Sequence, residues 1–279
     1  MVKLRSGFTV TGGGVTGAAA PVRGVAENAE GGWSEGGCPP LVPRPPTRYT
    51  VPMRIPITGY GLPQVAVFPA LVLALGAGLF VLLPAGWPLA VLAAVLAAVL
   101  IWVLSFFRDP QRRVPADEFV LLSPADGRIT DVAEVDCPEV GGAALRIGMF
   151  LSVFNVHVNR MPCSVKVDAV VYKKGRFKNA MAGDAWQVNE ANDIIVTRLC
   201  EPKVPLLLRQ VSGAVARHIV CRARLGDEFA QGQRFGMIKF GSRAELYLPL
   251  QGGGFDIAVK VGERVKAGIS PLAVFRRQS

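Results

Sequence analysis

The run Val65 to Phe107, VAVFPALVLALGAGLFVLLPAGWPLAVLAAVLAAVLIWVLSFF, carries no charged residue and is long enough for two membrane spans of about 20 residues each. Pro84, Gly86 and Pro88 interrupt it near the middle, where a helical hairpin needs a tight turn. A secretory signal is a poor reading, because the run far exceeds an h-region and begins far from Met1. A single buried core helix would not need this length. Basic residues flank the outer ends, Arg54 before and Arg108, Arg112 and Arg113 after, whereas the turn has none. The positive-inside tendency then places both ends in the cytoplasm, on a cell membrane. A re-entrant or interfacial hairpin is the alternative topology.

Around this run, the 279 residues allow one large or two small domains, and the 51% apolar content is a local excess of the hairpin. The formal charge of +10 suits work against an anionic bilayer, where each basic group near the surface adds about 1 kcal/mol of attraction. Nucleic acid is the competing partner for a basic chain. No basic helix, aromatic-basic interleaving or finger spacing supports it, and an Arg-rich background composition accounts for part of the charge. Cys38, Cys137, Cys163, Cys200 and Cys221 form an odd set with no CxxC. This argues against a disulfide framework and a structural zinc site, and so for a reducing compartment and no metal.

Residues 1–52 are Gly- and Pro-rich without periodicity and read as a disordered or non-native extension. A sharper reading makes Met53 the initiator, since organised sequence starts there. Residues 53–113 are the hairpin and its flanks. From 114 to 279 short apolar runs alternate with Gly, Pro and Asp, as in RITDVAEV, ALRIGMFLSV, VKVDAVVYKKG, DIIVTRL, HIVCRARL, MIKF, AELYLPL and FDIAVKV. Such runs predict strands of five to eight residues. The expected fold is mainly β, an antiparallel sandwich-like domain with few helices, preceded by the two-helix membrane hairpin.

The dipeptide Gly241-Ser242, at the end of RFGMIKFGSR, has a mundane reading as a turn. It also has a chemical one. In a strained backbone the Ser242 hydroxyl can attack the Gly241 carbonyl, turn the amide into an ester and eliminate to leave a pyruvoyl ketone. Gly241 minimises hindrance at the attacked carbon, and Ser242 needs a base and its oxyanion needs donors. The chain has two histidines. His218 in AVARHIVCR reads as structural, which leaves His157 in NVHVNR as the base candidate. Asp126 in SPADG reads locally as a turn aspartate.

The motifs RDPQRRVP, SPADGRI, FLSVFNVHVNRMP, GRFKNA, NEAN, RFGMIKFGSR and VKVGERVKAG occur in an order that resembles phosphatidylserine decarboxylase proenzymes, particularly the short, archaeal-type branch. The resemblance extends from about Met53 to the C-terminus. It implies self-cleavage between Gly241 and Ser242, giving a long β chain and a short α chain that begins with a covalent pyruvoyl cofactor. The serine amine of phosphatidylserine would then form a Schiff base with that ketone, lose carbon dioxide and leave as phosphatidylethanolamine, with no metal required. It implies that Asp126 orients the histidine for self-cleavage. Long-form relatives carry a second histidine where this chain has Arg160, and the one that matches His157 is associated more with decarboxylation. The base for Ser242 therefore stays open: His157 serves both steps, or Asp126 acts directly or through water. Arg160, which stays protonated, could hold substrate phosphate or carboxylate. Asn189, Glu190 and Asn192 are substrate-loop candidates by resemblance alone, and Lys173, Lys174, Arg176 and Lys178 either meet an anionic surface or form a solvated turn. The partners implied are the lipid substrate and the two cleavage products of the chain itself, with a homo-oligomer left open.

Two rival readings come from other classes. The segments 255–275 and 123–132 look like halves of a lipoyl or biotinyl carrier sandwich, but the modifiable-lysine hairpin is missing between them. A membrane-anchored β protein without catalysis is the other.

Overall fold

The computed structural model describes residues 57–82, 86–177, 188–213, 219–239, 242–252 and 254–276, all within one compact unit. The expected extension 1–52, the turn at Pro84, Lys178, His218 and Gly241 lie outside the described residues. Two helices, α1 (Leu62–Leu82) and α2 (Trp87–Phe106), come first. The strands that follow are β1 (Val120–Leu122), β2 (Gly127–Cys137), β3 (Gly142–Leu151), β4 (Val158–Arg160), β5 (Val165–Lys173), β6 (Ala191–Arg198) and β7 (Pro205–Val211). They continue with β8 (Ile219–Cys221), β9 (Glu228–Phe229), β10 (Arg234–Ile238), β11 (Ser242–Pro249), β12 (Phe255–Ile257), β13 (Arg264–Val265) and β14 (Pro271–Phe275).

Each helix offers a 20-residue apolar span, about 30 Å at 1.5 Å per residue, which matches a hydrocarbon core. Side chains such as Leu73, Val81, Leu82 and Trp87 are largely exposed. A helix apolar on all sides is stable only where something apolar surrounds it, and this points to membrane association. At its base the hairpin grips the β domain. Val103, Phe106 and Phe107 are buried with Met237 of β10, and Ile57, Tyr60, Val65 and Val220 pack around them. Gly61 is needed there, because a Cβ would overlap the Phe107 ring.

Every strand pairing is antiparallel. An eight-stranded sheet runs β13-β2-β3-β11-β7-β6-β5-β9, beside the three-stranded sheets β1-β14-β12 and β4-β10-β8. One face of the large sheet supplies Ile147, Met149, Ile194, Leu208, Ala244, Leu246 and Leu248 to the main core, which Leu121, Leu272, Phe275, Phe235 and Ile238 of the small sheets close. This is the sandwich-like architecture expected from the strand pattern. Some runs are shorter than expected, HIVCRARL yielding only Ile219–Cys221 as strand. Cys137, Cys163 and Cys221 carry free thiols, whereas Cys200 is disulfide-bonded, a departure from the disulfide-free reading.

The opposite face of β11 carries Arg243, Glu245 and Tyr247, and these are buried too. Buried charge must be paired, and here it is. Arg243 donates to Glu245 and to Asp131 at 2.6 Å each, Tyr247 donates to Glu245 at 2.6 Å, and Arg209 donates to Asp193 at 2.6 and 2.8 Å. Burial works to raise the Asp131 carboxyl, but the charge and hydrogen bond of Arg243 prevail and hold it below the usual range. Gly148 of β3 leaves room for this guanidinium, since a Cβ there would overlap Arg243 and Asp131. A Gly148→Ala substitution should therefore destabilise the protein by about 1–3 kcal/mol, read as a lowered urea midpoint at unchanged slope.

Candidate active site

Ser242 opens β11 opposite Leu151 of β3, in the middle of the large sheet. It is fully buried and its Oγ has no hydrogen-bond partner. On the other side the last β11–β7 pair is Arg243 with Val211. One step further, the same register faces Ser242 with Ser212, whose Oγ is also buried and without a partner. Opposed residues of an antiparallel pair share a face, so the two hydroxyls lie on the core side with Ala244 and Gln210.

His157 immediately precedes β4 and is completely buried. Its Nδ1 lies 2.9 Å from the carbonyl oxygen of Asn155. A carbonyl only accepts, so Nδ1 carries the proton and Nε2 presents its lone pair. That Nε2 has no partner. Burial depresses the imidazole to about 4; the Asn155 bond and the charge of Asp126 work against this and Arg108 adds to it. The ring lies against Phe106, the last residue of α2, with centroids 4.3 Å apart and planes at 35°. The result is a neutral, dry base with its lone pair uncommitted. The backbone ties it to the serine segment, since Ile238 N–H donates to the His157 carbonyl at 3.3 Å. Four residues of extended chain, about 14 Å at most, separate Ile238 from Ser242.

A family model described as phosphatidylserine decarboxylase matches residues 99–273. The chain belongs to the phosphatidylserine decarboxylase family. A phosphatidylserine decarboxylase proenzyme of Rhodopirellula baltica is 41% identical over 228 residues, covering 80% of this chain and 90% of the relative. The proenzyme of Trichlorobacter lovleyi is 40% identical over 216 residues, 77% and 95% of the two chains, and that of Cupriavidus pinatubonensis is 42% identical over 175 residues, 63% and 79%. The family match spans the described β domain almost entirely, which removes the carrier and structural readings.

In this family member the remaining candidates fall into two groups. Asp126 sits in the Ser123–Gly127 turn, where Arg112 donates to its two oxygens at 2.6 and 2.7 Å and Ala267 N–H donates at 2.8 Å. It contacts His157 through no hydrogen bond, and its charge alone reaches the ring. Arg160 is likewise committed, to Asp109 at 2.9 Å and to the carbonyls of Gly232 and Pro110. Both residues fasten the segment after α2 to the β domain. The second group lies at the Ser242 end of the sheet. Asn189 donates to the Ser212 carbonyl at 2.8 Å, Glu190 accepts from Ser212 N–H at 2.9 Å, and Asn192 donates to Gln210, which donates to Asn159. Lys173 is paired with Asp193 at 2.7 Å, while Lys174 and Arg176 are exposed.

Sequence reasoning read Arg112 only as a basic flank of the hairpin and did not single out Phe106, the Asn155 carbonyl, Gln210, Ser212 or Lys239. Asn155 stood inside a quoted motif, yet a backbone carbonyl leaves no mark on residue type.

The depressed His157 couples folding to pH. The unfolded imidazole protonates near its ordinary 6.5, the folded one near 4, so between these values the unfolded chain binds more protons. Stability from the neutral ring is whole above about pH 6.5 and is lost as the pH falls toward 4, by about 3 kcal/mol at most. Urea unfolding from pH 7.5 to 4 should show this loss in the native protein, and a His157→Gln variant should lack that part of the slope.

Proposed function

We propose that the chain is a self-processing decarboxylase of phosphatidylserine, producing phosphatidylethanolamine, with its reactive ketone made from Ser242. The observation that carries this reading is the pair of buried atoms without partners, Ser242 Oγ and His157 Nε2, one a nucleophile and the other a lone-pair base. Buried polar atoms are ordinarily satisfied, and an unsatisfied pair of this kind suits a proton transfer.

In the proposed processing step His157 Nε2 takes the Ser242 hydroxyl proton and Oγ attacks the Gly241 carbonyl carbon. The Gly241–Ser242 C–N bond breaks as the serine nitrogen takes the proton, leaving an ester. Loss of the serine α-proton expels the Gly241 carboxylate, and addition of water with release of ammonia yields the terminal ketone. The lone pair of Nε2 and the fixed proton on Nδ1 equip His157 for the first transfer. Ser212, facing Ser242, is a hydroxyl donor suited to the oxyanion on Gly241. Once present, the ketone supplies an electron sink for the pair released with carbon dioxide. His157 is then the group suited to moving a proton at the substrate's α carbon, and Phe106 keeps bulk water from its ring face.

The hairpin gives the chemistry its place. A diacyl substrate does not leave the bilayer, and the end of α2 lies against His157, which supports a site at headgroup depth. The basic flanks favour the cytoplasmic leaflet. Arg108 and Arg112 spend their donors on Ser105, Phe154, Asp126 and Ala267, so Arg113 is the exposed member of the three.

Denaturing electrophoresis of purified protein should show a small fragment comprising residues 242–279, whose mass carries a pyruvoyl terminus. Ser242→Ala should remain one uncut band that releases no carbon dioxide from phosphatidylserine. His157→Ala should slow turnover by about 100-fold or more. Normal cutting of Ser242→Ala, or an unmodified serine in active material, would refute the assignment.

A further inference from the structure

Lys239 is the only buried lysine among the described residues, at 5% exposure. No hydrogen bond or ion pair reaches its ammonium. The acids near this end of the domain are already taken, Asp109 by Arg160 and Arg234 and Asp126 by Arg112. A lysine whose side chain is buried this far without a counter-charge carries a desolvation cost, and burial alone accounts for its lowered pKa. It lies just beyond β10, on the segment leading to Ser242, three residues or about 10 Å of extended chain away. Along β10 the side chain of Ile238 enters the main core, and a Cβ on Gly236 would meet Gln210. Met237 points the other way, into the cluster of Phe106 and Phe107 at the end of α2. If the alternation of β10 continues one residue past Ile238, Lys239 falls on the Met237 side, toward the base of the hairpin.

Resting on the proposed decarboxylase reading, we infer that Lys239 is the cation that receives the phosphodiester of the substrate headgroup. Among the buried or half-buried cations beside it, Arg108 is spent on Ser105 and Phe154, Arg112 on Asp126 and Arg160 on Asp109, while Arg113 and Arg222 are exposed. The headgroup offers two anions. Its carboxylate must depart uncharged as carbon dioxide, and a lysine paired with it would stabilise the ground state against reaction. Its phosphodiester is unchanged from substrate to product. A lysine bound there contributes equally to ground and transition states, so its loss shows in KM and leaves kcat nearly intact.

The test compares native protein, Lys239→Met and Lys239→Arg in neutral detergent micelles, where no bulk phospholipid can stand in for the substrate's phosphodiester. Electrophoresis reads processing, carbon dioxide release reads KM and kcat, and phosphatidylethanolamine serves as a competing ligand with a phosphodiester but no carboxylate. Lys239→Met should be cut normally, raise KM tenfold or more, keep kcat within threefold, and weaken phosphatidylethanolamine inhibition in parallel. Lys239→Arg should return KM to within threefold of native. An unchanged KM overturns the inference, as does a raised KM with unchanged phosphatidylethanolamine inhibition, which would assign the lysine to the carboxylate. A folded but uncut Lys239→Met, judged by circular dichroism, also overturns it by moving the lysine into the backbone chemistry. Should methionine prevent folding, Lys239→Gln takes its place under the same criteria. Native protein that is neither cut nor active would sink the decarboxylase reading itself.

Discussion

The contact between Phe106 and His157 is the constraint on which the remaining arrangement turns. An imidazole stays neutral well below its ordinary range only if water is kept away, and here the last aromatic ring of α2 does part of that work. Seating the apolar hairpin and keeping the imidazole neutral are thereby one problem solved by one contact. If the hairpin were displaced, the ring would hydrate and its pKa would climb toward 6.5. The ionic stitches after α2 serve the same end. Asp109 holds Arg160 and Arg234, Arg112 holds Asp126, and Arg108 reaches the Phe154 carbonyl, so the helix end cannot drift from the loop that carries His157.

Much of this was legible in the residues. A charge-free run of this length has few physical readings, and the alternation of short apolar runs with turn residues gave the antiparallel domain. Ser242 and His157 stood out because their chemistry is scarce in this chain, one histidine in a distinctive motif and one Gly-Ser in another. The partners were not legible. Asp126 looked like an orienting aspartate, but its carboxylate faces Arg112 and Ala267, a choice made by three-dimensional packing of segments far apart in sequence. The proton on His157 is directed by a main-chain oxygen, which residue types do not encode. The burial of Arg243 and Glu245 was not legible either, because Asp131, over a hundred residues away, closes their ion-pair network.

Polar groups in this domain thus divide by function. On the outer face of the large sheet, charges are paired with one another and add rigidity through a connected network. On the inner end of β11, hydroxyl and imidazole atoms are left without partners. Paired and unpaired groups alternate along the same strand, with Ser242 facing one way and Arg243 the other, so Ser242 is held still by its neighbour's bonds.

The central position of β11 has one more consequence. A scission before Ser242 would leave a short chain threaded between β3 and β7, with β13 and β14 paired elsewhere in the domain. Before the break, folding is a first-order event within one polymer. Afterwards, recovering the native state from the unfolded one requires two separate molecules to collide and interleave, so its rate depends on dilution. Maturation would then be a ratchet: the fold is assembled once, as a single thread, and endurance from that point belongs to the barrier against unravelling.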